Sequence, residues 1–293
     1  MSSRAIWNLM LGFYFVVFFG YLFGPLIVMG VTAFNTPNYP QVFPFEGFTL
    51  SWFAKLGGDT ELMEGIWNSV LIGIGVVCVS VPIGLAAAIV MTQVYHRARG
   101  LYYLIVVSPV LTPGVILGIS TVIFWRGLKD SAGLDAFYNG YWLTILGQST
   151  FISAYAMLVC LSRLQRFDRA QEEAALDLGA SYPQVFWHVL IPFMRPAIFS
   201  AAILSFLSSF ENYNTTTFAI LAEKTLTTVL AGRVRQGTTP AISALAMIII
   251  AVTLVGAIAF ELARRREARK DAEAKAVAAR AERLAEATAL AAT

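Results

Sequence analysis

Ser208, Glu211, Asn212 and Thr215 interrupt an otherwise apolar stretch at 197–221. Their spacing of i, i+3, i+4 and i+7 predicts one polar face on a helix. A carboxylate at mid-bilayer costs about 2.5–3.5 kcal/mol on insertion scales and marks a functional position by default. The chemistry open to this face is recognition rather than bond-making: one anion and three hydrogen-bonding groups. Counted at about 1.5 Å per residue, Glu211 falls about 21 Å along a hydrocarbon core about 30 Å thick, nearer one surface. Tyr213 supplies an aromatic face, but on an ideal helix it points elsewhere. Two readings of Glu211 stand side by side. Either it lines a substrate path, or it pairs with a base of a partner subunit or carries a proton.

A second group lies in the polar stretch 163–195. Asp168 and Gln171 have the spacing of a capping box, and Glu172 and Glu173 fall in the first turn, where acids favour the helix dipole. Gly179 follows Leu178 as a left-handed stop. Ser181 and Gln184 repeat the capping signal, and the helix they open is expected to end near Leu190, before Pro192. Ala170, Ala174 and Leu178 recur at i+4, with Ala175 beside them, so a small-residue face admits another backbone closely. The expectation is a stiff helix–turn–helix able to pass force to the elements on either side.

Those elements are membrane spans. The chain is 57% hydrophobic and 13% charged, against about 25% charged in soluble domains. Its apolar residues come in blocks near the ~20 residues a span needs. Six spans are expected, at 7–33, 66–92, 101–125, 142–162, 197–221 and 241–262, which makes an all-α polytopic membrane protein. The fourth is the weakest, because Gln148, Ser149 and Thr150 interrupt it. Pro25, Pro82, Pro109 and Pro113 fall inside spans and predict kinks. The first block is too long for a signal core and lacks a small-residue cleavage site, so it is expected to remain as a helix. Segment 35–64 is rich in proline and glycine and reads as irregular, with a short helix over 59–65. Residues 1–262 form the membrane domain, and 263–293 a charged, alanine-rich helical tail. Arg97 and Arg99, the arginines of 163–195 and the basic tail share one side with the N-terminus. By the positive-inside rule that side is cytoplasmic, so both termini lie there.

Several chemistries have no signature. There is no G-x-x-x-x-G-K-[ST] loop for ATP and no H-E-x-x-H. His96 and His188 are isolated, and Cys78 and Cys160 sit in apolar blocks without CxxC spacing. No catalytic residue, metal site, bound cofactor or nucleic-acid surface is expected in this chain.

Glu173-Ala174-Ala175, three residues, Gly179, nine residues and Val189-Leu190-Ile191-Pro192 resemble the E-A-A-x3-G-x9-I-x-L-P pattern of inner-membrane permeases of binding-protein-dependent ABC importers. Val for Ile and Ile for Leu are the departures. The stretch from Ser162 to Ser181 is similar to the PotC-type permeases of spermidine/putrescine importers. So are Phe34-Asn35, Gly47-Phe48-Thr49 and Trp52, and Ser108-Pro109. The resemblance implies a type I permease fold in the bacterial inner membrane, with Glu173, Ala174, Ala175, Gly179 and Pro192 in a coupling loop that enters a groove of an ATPase subunit. It further implies a homologous permease partner, two ATPases holding ATP and magnesium, a periplasmic binding protein, and polyamine import by alternating access. Such permeases often carry an acidic pair where this chain has Glu211-Asn212. An ion-driven secondary transporter is the alternative, although only one intramembrane acid and no internal repeat are found. A scaffold without transport would leave the 163–195 motif without purpose.

Overall fold

The computed structural model describes residues 3–256 together with 258, 261, 262 and 265. The expected tail helix, Arg265 apart, lies outside them. In chain order the helices are α1 (Ser3–Phe34), α2 (Ser51–Gly57), α3 (Thr60–Gln93), α4 (His96–Leu111), α5 (Gly114–Ala132), α6 (Gly140–Leu164), α7 (Ala170–Asp177), α8 (Tyr182–Val185), α9 (Ile191–Phe210), α10 (Thr216–Ala219), α11 (Leu226–Gln236) and α12 (Pro240–Gly256). No strand is formed among the described residues; one isolated bridge pairs Asn35 with Phe48.

The chain divides into two compact units. In the first, made of residues 1–58 and 238–293, α1 and α12 meet where Thr32 Oγ1 donates to Ser243 Oγ at 2.9 Å. Most of α1 is exposed, and Phe15, Phe19 and Phe23 stack along it at i, i+4 spacing. The loop after α1 is irregular but pinned. Asn35 Oδ1 accepts from Thr36 N and Glu46 N, its Nδ2 donates to Gln41 O, and its backbone carbonyl accepts from Trp52 Nε1 at 2.8 Å. Buried Trp52 also anchors α2, a helix that the Pro/Gly-rich sequence does not announce.

The second unit, residues 59–237, is built on α3, α6 and α9. Its core packs Val81, Ala88, Ala156, Met157, Cys160, Met194 and Ala201. Lipid is as apolar as these side chains, so helix association depends on close approach at small residues. Gly84 shows this: a Cβ there would stand 2.6 Å from Ala156 Cβ and 2.7 Å from Met157 N.

Among the described residues, four helices have the length and hydropathy to cross a membrane: Trp7–Phe34, Thr60–Gln93, Gly140–Leu164 and Tyr182–Phe210. The expected third span is not one rod. α4 and α5 meet at 97°, because Pro113 lacks an N–H and holds Thr112 extended at ψ 131°. The fourth span, weakest in sequence, is the most buried, with 61% of its apolar window inside the protein. The expected helix over 59–65 is simply the start of α3, capped by Asp59, whose carboxylate accepts from Leu62 N at 3.0 Å. Nor does the second surface helix stop before Pro192. α8 runs through a wide π turn, Phe186–Leu190, into α9. Widening the turn makes room for a proline ring that would otherwise press on the preceding carbonyls. The α12 helix, where the sixth span is expected, is shorter than a full crossing over the described residues.

Candidate functional site

The expected fifth span also ends early, and this reshapes the candidate recognition face. α9 stops at Phe210, Glu211 is its C-cap, and the chain turns before α10 begins at Thr216. Asn212 makes the turn. Its Oδ1 accepts from Thr215 N at 3.1 Å and Thr216 N at 3.3 Å, and its carbonyl accepts from Thr216 Oγ1 at 2.7 Å. Ser208, Glu211, Asn212 and Thr215 therefore do not form one helical face. Thr215 turns inward, fully buried, where a Cβ added to Gly118 would lie 2.6 Å from its carbonyl oxygen.

The other three residues share a cavity of about 470 Å³ with Phe151, Tyr155, Leu204, Tyr213 and Asn214. Phe151 and Tyr155, at i, i+4 on α6, meet edge-to-face with ring centroids 6.2 Å apart. The break also brings Tyr213 into the cavity, against expectation for an ideal helix, and its hydroxyl accepts from Arg235 Nη2 at 2.9 Å. Glu211 is exposed here, and its carboxylate is unpaired among the described residues. The site thus offers one free anion, three aromatic rings and a set of amide and hydroxyl oxygens: acceptors and π-density for a cation bearing N–H groups. Sequence reasoning missed Phe151, Tyr155 and Asn214. The i, i+4 aromatic pair on the polar-interrupted α6 was the signal available.

The elbow lies between the end of α6 and the start of α9. Gly179 has φ +88° and closes α7 in a Schellman motif: Ala180 N donates to Ala175 O at 3.0 Å, and Gly179 N to Leu176 O at 2.9 Å. Gln184 Oε1 accepts from Ser181 N at 2.7 Å and from Ser181 Oγ at 2.9 Å. Asp168 Oδ1 accepts from Ala170 N at 3.0 Å, so this cap acts earlier than the capping box requires. Glu173 and Ala174 are exposed, and Ala175 and Pro192 half-buried. Leu178 is 90% exposed, with Tyr182 and Trp187 also in the open. Beside them a hollow of about 510 Å³ is lined by Ala175, Gly179, Ala180, Val185, His188 and neighbours. The elbow is tied to its supports. Arg163 stacks on Phe193 at 4.2 Å, and Arg169 Nη2 donates to Thr92 O at 3.3 Å.

A charged clasp that sequence reading did not foresee joins the start of α3 to α11. Arg233 grips Asp59 through two bonds, 2.5 and 2.7 Å, and reaches Glu61 at 3.2 Å; Lys224 pairs with Glu61. The guanidinium bond holds the Asp59 carboxyl below its usual value against an opposing effect of burial, and the same bond pushes Arg233 upward. Lys224 is raised by its bond to Glu61. α11 in turn meets the cavity loop, since Thr227 Oγ1 donates to Asn212 O at 3.1 Å.

A bundle of spans with a small-residue elbow at one end and an open polar cavity at a helix break defines a membrane permease. Residues 80–268 match the family of binding-protein-dependent transport system inner membrane components, and the chain belongs to that family. Putrescine transport system permease protein PotI of Escherichia coli K12 is 31% identical over 269 residues, 90% of this chain and 93% of the relative. Spermidine/putrescine transport system permease protein PotC of Haemophilus influenzae is 27% identical over 259 residues, 87% and 95% of the two chains. The fold is that of a chain in a bacterial ABC transporter involved in import of the acidic polysaccharide alginate, with TM-score 0.62, 17% identity and 89% and 98% coverage. It also matches a chain of the alginate transporter in complex with its pentasaccharide-bound periplasmic protein, with TM-score 0.63, 19% identity and 87% and 92% coverage.

Proposed function

We propose that this chain passes polyamines, putrescine or spermidine, through the bacterial inner membrane as one permease subunit of an ATP-driven importer. The supporting observation is the cavity at the α9 break, which the unpaired Glu211 lines together with Phe151, Tyr155 and Tyr213. A flexible polycation needs charge neutralisation without a tight cage. One carboxylate, cation–π faces worth about 0.5–2 kcal/mol each and the oxygens of Ser208, Asn212 and Asn214 hold an ammonium group and release it. Likeness to PotI and PotC points to the same substrate class.

In this reading a homologous permease completes the path, a periplasmic protein delivers the substrate, and two ATPase subunits hold ATP and magnesium and carry out the hydrolysis. The elbow from Glu173 to Gly179, with Pro192 behind it, receives their motion, and Leu178 and Trp187 enter the ATPase surface. The elbow and both termini face the cytoplasm. Ligand-driven switching requires different contacts in the two states; a substrate ammonium on Glu211 in only one of them meets that requirement.

The test is uptake of labelled putrescine and spermidine by proteoliposomes holding the whole importer. Glu211→Gln lowers uptake of both about tenfold and leaves assembly intact. Full uptake by Glu211→Gln, or uptake driven by an ion gradient without ATP, sinks the proposal.

A further inference from the structure

Gln148 is 1% exposed, in the middle of the most buried span. A polar side chain in such a place needs partners, and its partners stand on either side of the α9 break. Ser209 Oγ donates to its Oε1 at 2.5 Å, and its Nε2 donates to Thr216 Oγ1 at 2.7 Å. Ser209 belongs to the last turn of α9, and Thr216 is the first residue of α10; both are buried. One amide therefore spans the two lips of the break. The loop between them, 211–214, is the part that lines the cavity.

The protons run in one direction. Ser209 gives its proton to the Gln148 carbonyl, Gln148 gives one to Thr216, and Thr216 gives its own to Asn212 O. Reversing the amide would put a second acceptor against a hydroxyl already committed to Asn212. By contrast, the buried hydroxyls of Thr144, Ser149, Ser205 and Thr215 have no partner among the described residues.

We propose that Gln148 is a positioning residue: its amide staples the end of α9 to the start of α10 and so fixes Glu211 and Tyr213 where they meet the substrate's ammonium groups. This rests on the polyamine reading of the cavity. It also gives a function to Gln148, the first of the three polar residues that make this span look the poorest in sequence.

The test uses the assembled importer with its ATPase and loaded binding protein. Q148M/S209A keeps the core volume and leaves no orphaned serine, so thermal stability in detergent stays near that of the unaltered protein. Uptake per ATP hydrolysed falls about tenfold, equivalent to about 1.4 kcal/mol. In an E211Q background the same change lowers uptake less than about twofold, because Gln148 acts through Glu211. Separately, N214C, a cysteine probe on the exposed loop position, reacts several-fold faster or slower with a membrane-impermeant maleimide once Q148M/S209A is added. A loss of uptake matched by a loss of thermal stability overturns the proposal, as do independent, multiplying effects of Q148M/S209A and E211Q. If E211Q alone is silent, the substrate reading fails, and the labelling rate of N214C, which needs no substrate, still shows whether Gln148 holds the loop; an unchanged rate overturns the staple.

Discussion

Asp59 does two jobs with one carboxylate: it caps α3 and accepts the Arg233 fork. A bidentate bond of this kind to a half-buried charge is worth about 1.5–3 kcal/mol at most. The arginine lowers the folded-state pKa of Asp59 below its ordinary 3.8, so the stabilisation is fully present above that value. It is lost as pH falls through the depressed folded value, below about 4. Asp59→Asn therefore speeds amide exchange in α11 at pH 7, and the difference from the unaltered protein closes as pH drops below about 4. An equal difference at pH 7 and pH 3 would show that the clasp does not hold α11. Glu211 presents the opposite case: an exposed carboxylate with no such partner among the described residues. The two acids differ because Asp59 sits where a helix start and a guanidinium converge, and Glu211 where a helix ends on open space.

The elbow depends on one backbone conformation. Gly179 at φ +88° sits in the left-handed region, with nothing within 4 Å of a Cβ, so a substitution there is judged by strain and not by crowding. Asn visits this region readily, and a β-branched residue pays about 1–2 kcal/mol. Gly179→Asn should keep most ATPase co-purification and uptake, and Gly179→Val should lose both several-fold. Equal behaviour of the two variants would remove the elbow's conformation from the coupling argument. This element was legible in sequence because its signals are local: a glycine stop, a Ser-x-x-Gln cap, acids in a first turn. The break at 211–215 was not. Its causes are Asn212 turning back on the next two amides and Gln148 bonding across from another helix, and a periodicity count over 197–221 registers neither. The α4–α5 bend falls between these cases. Pro113 marked the place, but Thr112 held extended, and with it the 97° angle, emerged only in three dimensions. The clasp was invisible for a simpler reason: Asp59 and Arg233 are 174 positions apart.

At the scale of the second unit, elbow and cavity stand at opposite ends of the path through α9, and α6 passes both. α6 carries Phe151 and Tyr155 near its middle and meets the elbow at Leu164. The continuous path Tyr182–Phe210 begins in the elbow and ends beside Glu211. From Leu190 to Glu211 is about 30 Å at 1.5 Å per residue, a distance that motion crosses only if the rod is stiff and its packing holds. Packing is tested at Gly84, where a leucine has no space against Ala156 and Met157; Gly84→Leu should abolish the assembled complex, and Gly127→Leu, with nothing within 4 Å, should not. Stiffness is tested on the exposed side of α9. Phe199→Gly with Ser200→Gly touches neither the core cluster nor the cavity but loosens the helix by about 1 kcal/mol per glycine relative to alanine. If the rod carries motion, this double variant keeps ATPase binding and ATP turnover and loses uptake several-fold, so ATP consumed per polyamine moved rises. Unchanged uptake at unchanged turnover would mean that force reaches the cavity by α6 alone, and glycine at exposed Ser162, in the last turn of α6, would then carry the loss.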